Sequence, residues 1–458
     1  MQMNTENMKN KKVLIIGLGK SGIAAAQAMV KLNAEVSVQD SKKEENVDAN
    51  LRHYLKEKGV KCYFNLIPPD MSAFDLLILS PGVSPELPFV AEAKEKGAEI
   101  IGELEIAYRV GSGKYVAITG TNGKTTTTTL TGEIFKEAGR KTYVVGNIGT
   151  AVISASLDSP EDGWMVTETS SFQLETTRYF KPEVSAILNI TPDHLNRHHT
   201  MEAYKAAKAK IFANQVEGNH LVINYDDKEC FAMAADCKAE LVPFSRKEQL
   251  DAGVFVKEGN IVLKEKSGKE VLICPVDNLK MIGQHNLENA LAATGVCYYA
   301  GIAPEVIRTV LERFTGVEHR IEFSGEVDGV KYYNDSKGTN TDATITALRA
   351  LEKNIILIAG GDAKGQNFDE LLKEFEGRVK HMILLGRDAF LIKESADKTG
   401  FDQISYGKDM DECVKIASET AEPGDNVLLS PACASWDMYD NYEQRGEHFK
   451  NCVARLEN

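Results

Sequence analysis

The stretch Lys114–Thr129, KYVAITGTNGKTTTTT, runs an apolar segment into a glycine-containing loop and then into a threonine-rich stretch. A Walker A loop reads G-x-x-x-x-G-K-[ST] and would place Gly at position 118, where this chain has Ile. The rest of the chemistry is present. A loop between strand and helix, carrying Gly120, Thr121, Asn122 and Gly123, can wrap its N–H groups around phosphate oxygens. Lys124 would reach the β- and γ-phosphates, and Thr125, followed by Thr126, stands where a P-loop hydroxyl ligates Mg²⁺. The run Thr125 to Thr129 is a poor helix former, which predicts hydroxyls and small branched side chains close to a ligand. The alternative is a Gly/Thr-rich strand–helix connection with no ligand. A lysine directly after glycine at a helix start favours the anion.

Upstream, KKVLIIG reads as a strand and SGIAAAQAMVKLN as a helix, and between them Gly17-Leu18-Gly19-Lys20-Ser21-Gly22 matches G-x-G-x-x-G. Asp40 ends the next strand, AEVSVQD. That is the context of the dinucleotide fingerprint, in which glycines admit a pyrophosphate to a helix N-terminus. Nothing in this physics specifies nicotinamide. A dehydrogenase needs one phosphate site, whereas a ligase that spends ATP on a nucleotide-linked substrate needs two.

Strand–helix alternation with buried apolar strands predicts parallel sheets. The pattern restarts near Gly111-Ser112-Gly113 and again near residue 317, which predicts an α/β chain of three domains, 1–110, 111–316 and 317–458. The expected architecture is an N-terminal Rossmann-like domain, a central P-loop ATPase-like domain and a C-terminal Rossmann-like domain. The segment 254–276, VFVKEGNIVLKEKSGKEVLICPV, reads as antiparallel hairpins decorating the edge of the central parallel sheet.

The 458 residues are 43% apolar and 26% charged, ordinary for α/β proteins. A net charge of −14 argues against nucleic acid as the main partner. The eight cysteines form no C-x-x-C and no zinc spacing, which predicts buried thiols in a reducing compartment. The polar start MQMNTENMKNKK and the lack of any apolar run near the ~20 residues that span a bilayer predict a cytoplasmic chain.

TGTNGKTTT, the GNIG at 146–149, TETSSFQLETT, NITPDHLNRH, GQHNLENALAA, EHRIE and NDSKGTNTDAT together resemble the ATP-dependent Mur ligases of peptidoglycan synthesis, over essentially the whole chain. GGDAKG and LLSPACASWDMYDNYEQRG are similar to the family's D-glutamate-adding branch. The sequence DNPR of diaminopimelate-adding relatives is absent. Folate-polyglutamate synthetases share the loop variant but not the N-terminal G-x-G-x-x-G domain.

The resemblance implies ATP, two Mg²⁺ ions, D-glutamate and UDP-N-acetylmuramoyl-L-alanine as ligands. It places the UDP-sugar on Gly19, Lys20 and Ser21, with Asp40, Ser41, Ser80 and Gly82 lining the pocket and Asn147 and Gln173 at its lactoyl-alanine end. ATP is implied at residues 120–126, with Asn289 at adenine and Arg320, Asp335 and Lys337 beyond. Thr125 and Glu168 are implied for one Mg²⁺, and His194 with a carbamylated Lys208 for the second. His198 and His199 read as structural. D-glutamate is implied at Thr339, Lys364, Ser435, Trp436 and Tyr442, the last a mild departure from the family's Phe. Read without the resemblance, a lysine in EAYKAAKAKIF is more often a solvated-face residue. However, Tyr204, Lys208, Ile211 and Phe212 share one helical face, and apolar neighbours would lower the pKa of an ammonium and favour a carbamate.

The implied reaction forms an acyl phosphate on the alanine carboxylate, which the amine of D-glutamate then attacks, with the third domain closing about a hinge near residues 316–319. A Mur ligase for another amino acid, an NAD-dependent oxidoreductase and a non-catalytic nucleotide-binding regulator are the alternatives. The expected chain is a monomer without nucleic-acid or membrane partners.

Overall fold

The computed structural model describes residues 8–281, 283–351 and 353–456. Most of the polar start read for targeting signals thus lies outside the described residues. Contacts divide the chain into two compact units, Met1–Asn278 with Glu288–Glu312, and Leu279–Leu287 with Arg313–Asn458.

The first unit holds two sheets. Five parallel strands lie in the order Lys61–Phe64, Glu35–Asp40, Lys12–Ile16, Leu76–Leu79, Glu99–Gly102. This is the doubly wound pattern in which ligands gather at the carboxyl ends of the strands. The second sheet has nine strands: Glu270–Pro275, Asn260–Lys264, Gly253–Lys257, Glu240–Ser245, His220–Asn224, Val184–Ile187, Lys114–Thr119, Trp164–Glu168, Thr142–Gly146. Its first three strands pair antiparallel with one another. They extend the parallel part at one edge, as the hairpin reading of 254–276 anticipates. Strands buried on both faces read as unbroken apolar runs; Leu76–Leu79 and Val184–Ile187 are buried throughout.

The helix Glu103–Val110 joins the two sheets, and its buried carboxylates do the joining. Glu105 accepts from the backbone N–H of Arg178 (2.9 Å), Tyr179 (3.0 Å) and Phe180 (3.1 Å), and from Arg109 Nε (2.7 Å). Glu103 Oε1 accepts from Ile153 N at 2.7 Å, at the start of the helix Val152–Ser156. Neither carboxylate leaves its own element; each satisfies the loose backbone donors of the neighbouring one.

The second unit is a six-stranded sheet, in the order Glu322–Val327, Val330–Asn334, Asn426–Leu429, Ile355–Gly360, Val379–Leu385, Ile404–Tyr406, with only the first pair antiparallel. Separate apolar cores cover its two faces, one around Leu357, Leu384 and Phe368, the other around Ile358, Val427 and Phe449. All eight cysteines are free thiols, six of them buried. Among the described residues no helix is long and apolar enough to cross a membrane.

Candidate functional site

In the five-stranded sheet the loop 17–22 turns from strand Lys12–Ile16 into helix Lys20–Lys31. A side chain at Gly22 would lie 1.8 Å from Gly17 O, so the turn closes only without one. A side chain at Gly19 would meet nothing within 4 Å, so the loop's outer face is open. Asp40 is buried. Its carboxylate accepts from Leu18 N (2.6 Å) and Lys42 N (2.8 Å), and Ser80 Oγ donates to Gly17 O (2.7 Å). Both side chains therefore brace the loop, whereas Lys20, Ser41 and Gly82 are exposed. Ser80 and Gln173 line one small cavity together with Glu103 and Phe172.

The loop 120–123 connects strand Lys114–Thr119 to helix Lys124–Glu137. Gly123 has φ +82°, and a Cβ there would stand 2.3 Å from Asn289 Oδ1. Backbone approach of this kind needs glycine. Asn289, which the resemblance implies at adenine, is buried against this loop and accepts from Thr127 Oγ1 at 3.1 Å. The threonine run divides. Thr125 to Thr128 all point inward, and the hydroxyls of Thr126 and Thr128 have no partner among the described residues. Much of the run is therefore packing.

Two lysines converge on one carbonyl. Lys124 Nζ donates to Gly120 O (2.9 Å) and Thr121 O (2.7 Å), while Lys208 Nζ donates to Gly120 O (2.8 Å) and Thr119 Oγ1 (3.3 Å). Lys208 is 1% exposed and its ammonium lies 4.7 Å from the Tyr204 ring centroid. Burial, and then the charge of Lys124, hold its pKa well below the usual lysine range. Tyr204, Ile211 and Phe212 are buried along with Lys208, but the helix Met201–Ala209 ends before the last two, which follow in a turn and not on the expected helical face; Lys205 reaches outward to Glu229 at 2.8 Å.

Glu168 ends the adjacent strand. Its Oε1 accepts from Asn147 Nδ2 at 2.7 Å, and its buried Oε2 has no partner among the described residues. A buried, unpartnered carboxylate oxygen is what a hard cation takes up, so Glu168 fits a Mg²⁺ ligand. His194 takes a left-handed backbone (φ +53°), packs its ring 4.8 Å from that of Phe172 and pairs with Asp193 (3.4 Å). His198 is buried 2.9 Å from Ser171 Oγ, whereas His199 is exposed beside Glu86.

Asn189 was not among the expected site residues, yet it braces the phosphate loop from the next strand end. Its Oδ1 accepts from Asn122 N (2.8 Å) and its Nδ2 donates to Asn122 O (3.2 Å). It opens the NITPDHLNRH stretch, directly after an apolar strand, but was not singled out from it.

In the second unit, Asp335 is buried and accepts from Ser430 Oγ at 2.6 Å. Burial pushes its pKa up to about 6, against the opposing charge of Arg320. Arg320 Nε has no partner among the described residues. Lys337 Nζ lies 5.2 Å from the Tyr442 ring centroid, and Lys364 Nζ 4.7 Å from that of Trp436. Gln366 Nε2 donates to Thr339 O at 3.4 Å, which ties Thr339 to the Lys364 loop. Ser435 is buried. Arg445, in the YEQRG stretch but not singled out from it, fixes the frame by donating to Ser336 O (2.8 Å), Ser336 Oγ (3.0 Å) and Cys433 O (3.1 Å).

Residues 11–102 match the Mur ligase MurD-like, N-terminal domain, 118–297 the Mur ligase middle domain, and 319–433 the Mur ligase, glutamate ligase domain. A UDP-N-acetylmuramoylalanine–D-glutamate ligase of Thermoanaerobacter sp. (strain X514) is 48% identical over 98% of this chain and 99% of its own length. The chain belongs to the Mur ligase family. A relative of the same description from Clostridioides difficile (strain 630) is 47% identical over 98% of this chain and 100% of its own. A pseudomurein peptide ligase type C from Methanothermus fervidus shares the fold, at TM-score 0.58 and 19% identity over 98% of this chain and 100% of that one. So does the UDP-N-acetylmuramate-alanine ligase MurC of Thermotoga maritima, at TM-score 0.57 and 19% identity over 97% and 99%. Mur ligases are ATP-dependent, which implies ATP and Mg²⁺ for a site of this geometry.

Proposed function

We propose that the chain joins D-glutamate to UDP-N-acetylmuramoyl-L-alanine at the expense of ATP, in the cytoplasm and as a monomer. The convergence of Lys124 and Lys208 on Gly120 O, beside the unpartnered oxygen of Glu168, carries this reading. Two lysine side chains that meet at the phosphate loop make a locus suited to an anion. The limits 1–110, 111–316 and 317–458 are proposed for the sugar-nucleotide, ATP and amino-acid domains.

The loop 17–22 with Asp40, Ser41, Ser80 and Gly82 would hold the UDP-sugar, and Asn147 and Gln173 its alanine end. Residues 120–126 with Asn289, Arg320, Asp335 and Lys337 would hold ATP. Mg²⁺ would bind Thr125 and Glu168, with a second ion on His194 and Lys208; when bound it offsets phosphate charge. A neutral Lys208 amine can attack CO₂ and release one proton to solvent, giving a carbamate, and the depressed basicity of Lys208 supports that step.

The alanine carboxylate attacks the γ-phosphorus of ATP and ADP leaves. Lys124 neutralises charge on the moving phosphoryl group and holds it in line. The amine of D-glutamate, placed by Thr339, Lys364, Ser435, Trp436 and Tyr442, then attacks the acyl carbon. The tetrahedral adduct collapses to amide and phosphate, and the amine proton passes to a base at the site or to solvent.

Phosphate release with ATP and the UDP-linked L-alanine substrate tests this, comparing D-glutamate, L-glutamate, L-lysine and diaminopimelate. Turnover with D-glutamate alone is expected. Turnover with another amino acid overturns the specificity, and none with any of them overturns the ligase reading. Nicotinamide reduction, followed by absorbance, would instead favour the oxidoreductase alternative.

A further inference from the structure

Trp436 is 65% exposed, although large aromatic rings are normally withdrawn from water. Lys364 Nζ stands 4.7 Å from the centroid of that ring, within range of the attraction between an ammonium and a π face. Both residues sit on segments that are fixed independently of this contact. Asp362 and Ala434 exchange backbone hydrogen bonds, each 2.9 Å, and so bridge the two loops. On one side of the bridge, Lys364 N donates to Asp362 Oδ1 (3.0 Å) and Ala363 N to Asp388 Oδ2 (2.9 Å). They hold Lys364 at φ +48°, a left-handed conformation unfavourable for a lysine. On the other side, Ser435 O accepts from Tyr439 N (2.8 Å) and Asp437 Oδ2 from Arg387 N (2.8 Å).

The two backbones are thus anchored, but the Lys364 side chain is exposed and has no ion pair among the described residues. The indole is what locates its charged end. An unheld lysine surrenders several rotors when it captures a carboxylate. One already seated on a ring has fewer to lose, and its N–H donors that point off the ring stay available.

We propose that Trp436 is a positioning residue for amino-acid affinity, its ring holding the Lys364 ammonium ready for a carboxylate of the incoming substrate. This rests on the D-glutamate reading of Lys364. Steady-state kinetics of the full chain, at saturating ATP and UDP-linked substrate, test it. Trp436→Leu stays apolar and loses the π face; it should raise KM for D-glutamate about two- to fivefold, with kcat falling less. Trp436→Phe should restore most of the loss. In a Lys364→Gln background Trp436→Leu should add nothing further to KM. In the ligand-free wild type the Lys364 methylene protons next to Nζ should be shifted upfield by the ring, and Trp436→Leu should abolish that shift. An unchanged or lowered KM in Trp436→Leu, a Phe variant no better than Leu, or no ring shift in the wild type overturns the proposal. A wild type that does not turn over D-glutamate at all, with the ring shift intact, overturns the assignment of Lys364 instead.

Discussion

Glu103 is a buried carboxyl whose replacement by Gln gives a stability change of calculable sign and size. It is 2% exposed; Oε1 accepts from Ile153 N, and Oε2 has no partner among the described residues. Burial raises its pKa from 4.5 to about 7, partly opposed by the backbone donors of Ile153 and Val152. In the unfolded chain the group titrates near its ordinary value. Between about 4.5 and 7 the folded chain therefore holds a proton that the unfolded chain has released, and stability falls as pH rises through that window. The full gap corresponds to about 3 kcal/mol. Glu103→Gln keeps an oxygen for Ile153 N–H and removes the titration. Its amide leaves a buried NH₂ group, with two donor hydrogens, unpartnered, which costs about 1–3 kcal/mol at every pH.

The variant should therefore be no more stable than wild type near pH 4.5 and gain about 3 kcal/mol on it by pH 7.5. Unfolding entropy is about 2 cal/mol/K per residue, and the first unit has roughly 300 residues. The gain is then a relative rise of about 5 °C in Tm, measured by calorimetry across that pH range. Parallel Tm–pH curves for the two proteins would refute the reasoning, because they would mean that Glu103 does not change protonation on folding. Glu103→Asp is the control: it should retain the wild-type slope if its shorter carboxyl stays buried.

Lys208→Ala should reduce turnover by at least about a hundredfold. If the missing group is a carbamate, millimolar acetate or formate should restore part of it, whereas added lysine-like amines should not; phosphate release is the readout. Gly123→Ala should weaken ATP binding about tenfold or more, because a Cβ would stand 2.3 Å from Asn289 Oδ1 at a left-handed backbone. Titration calorimetry checks it, and Asn289→Ala should recover only the steric part.

What the sequence hid follows a physical pattern. Strands Leu76–Leu79 and Val184–Ile187 announce themselves because burial on both faces forces unbroken apolar runs. Lys61–Phe64, Glu99–Gly102, Thr142–Gly146 and Ile404–Tyr406 gave no such run, and each lies at the edge of its sheet. An edge strand has one neighbour and tolerates polar residues, so KCYF and ISY look like loop. The position of Lys208 was legible for the opposite reason, since helical periodicity places it on the buried face with Tyr204 whatever the ligand. The threonine run misled in part. Thr127 and Thr128 are wholly buried, so small branched side chains there serve helix–sheet packing as much as phosphate. Asn189 and Arg445 were missed because each acts on backbone groups brought together by the fold, a partnership that spacing does not encode.

Some buried charged groups are completed by the fold, and others are not. Arg445 is 2% exposed, and burial lowers its pKa to about 10, yet its donors meet Ser336 and Cys433. It is complete without a ligand. Glu168 Oε2 and Arg320 Nε are not. A buried atom of a charged group left without a hydrogen bond costs more than an unpartnered hydroxyl such as those of Thr128 and Thr131. Packing alone gives no reason to keep such groups, because an apolar residue of equal volume would serve better. Their retention is explained if the missing partners are the phosphates and cations of the reaction. The same reading predicts that saturating ATP and Mg²⁺ should raise Tm more in wild type than in Lys208→Met, whose apolar side chain removes one of the two converging amino groups. An equal ligand-induced shift in both would mean that the burial of Lys208 serves the fold alone.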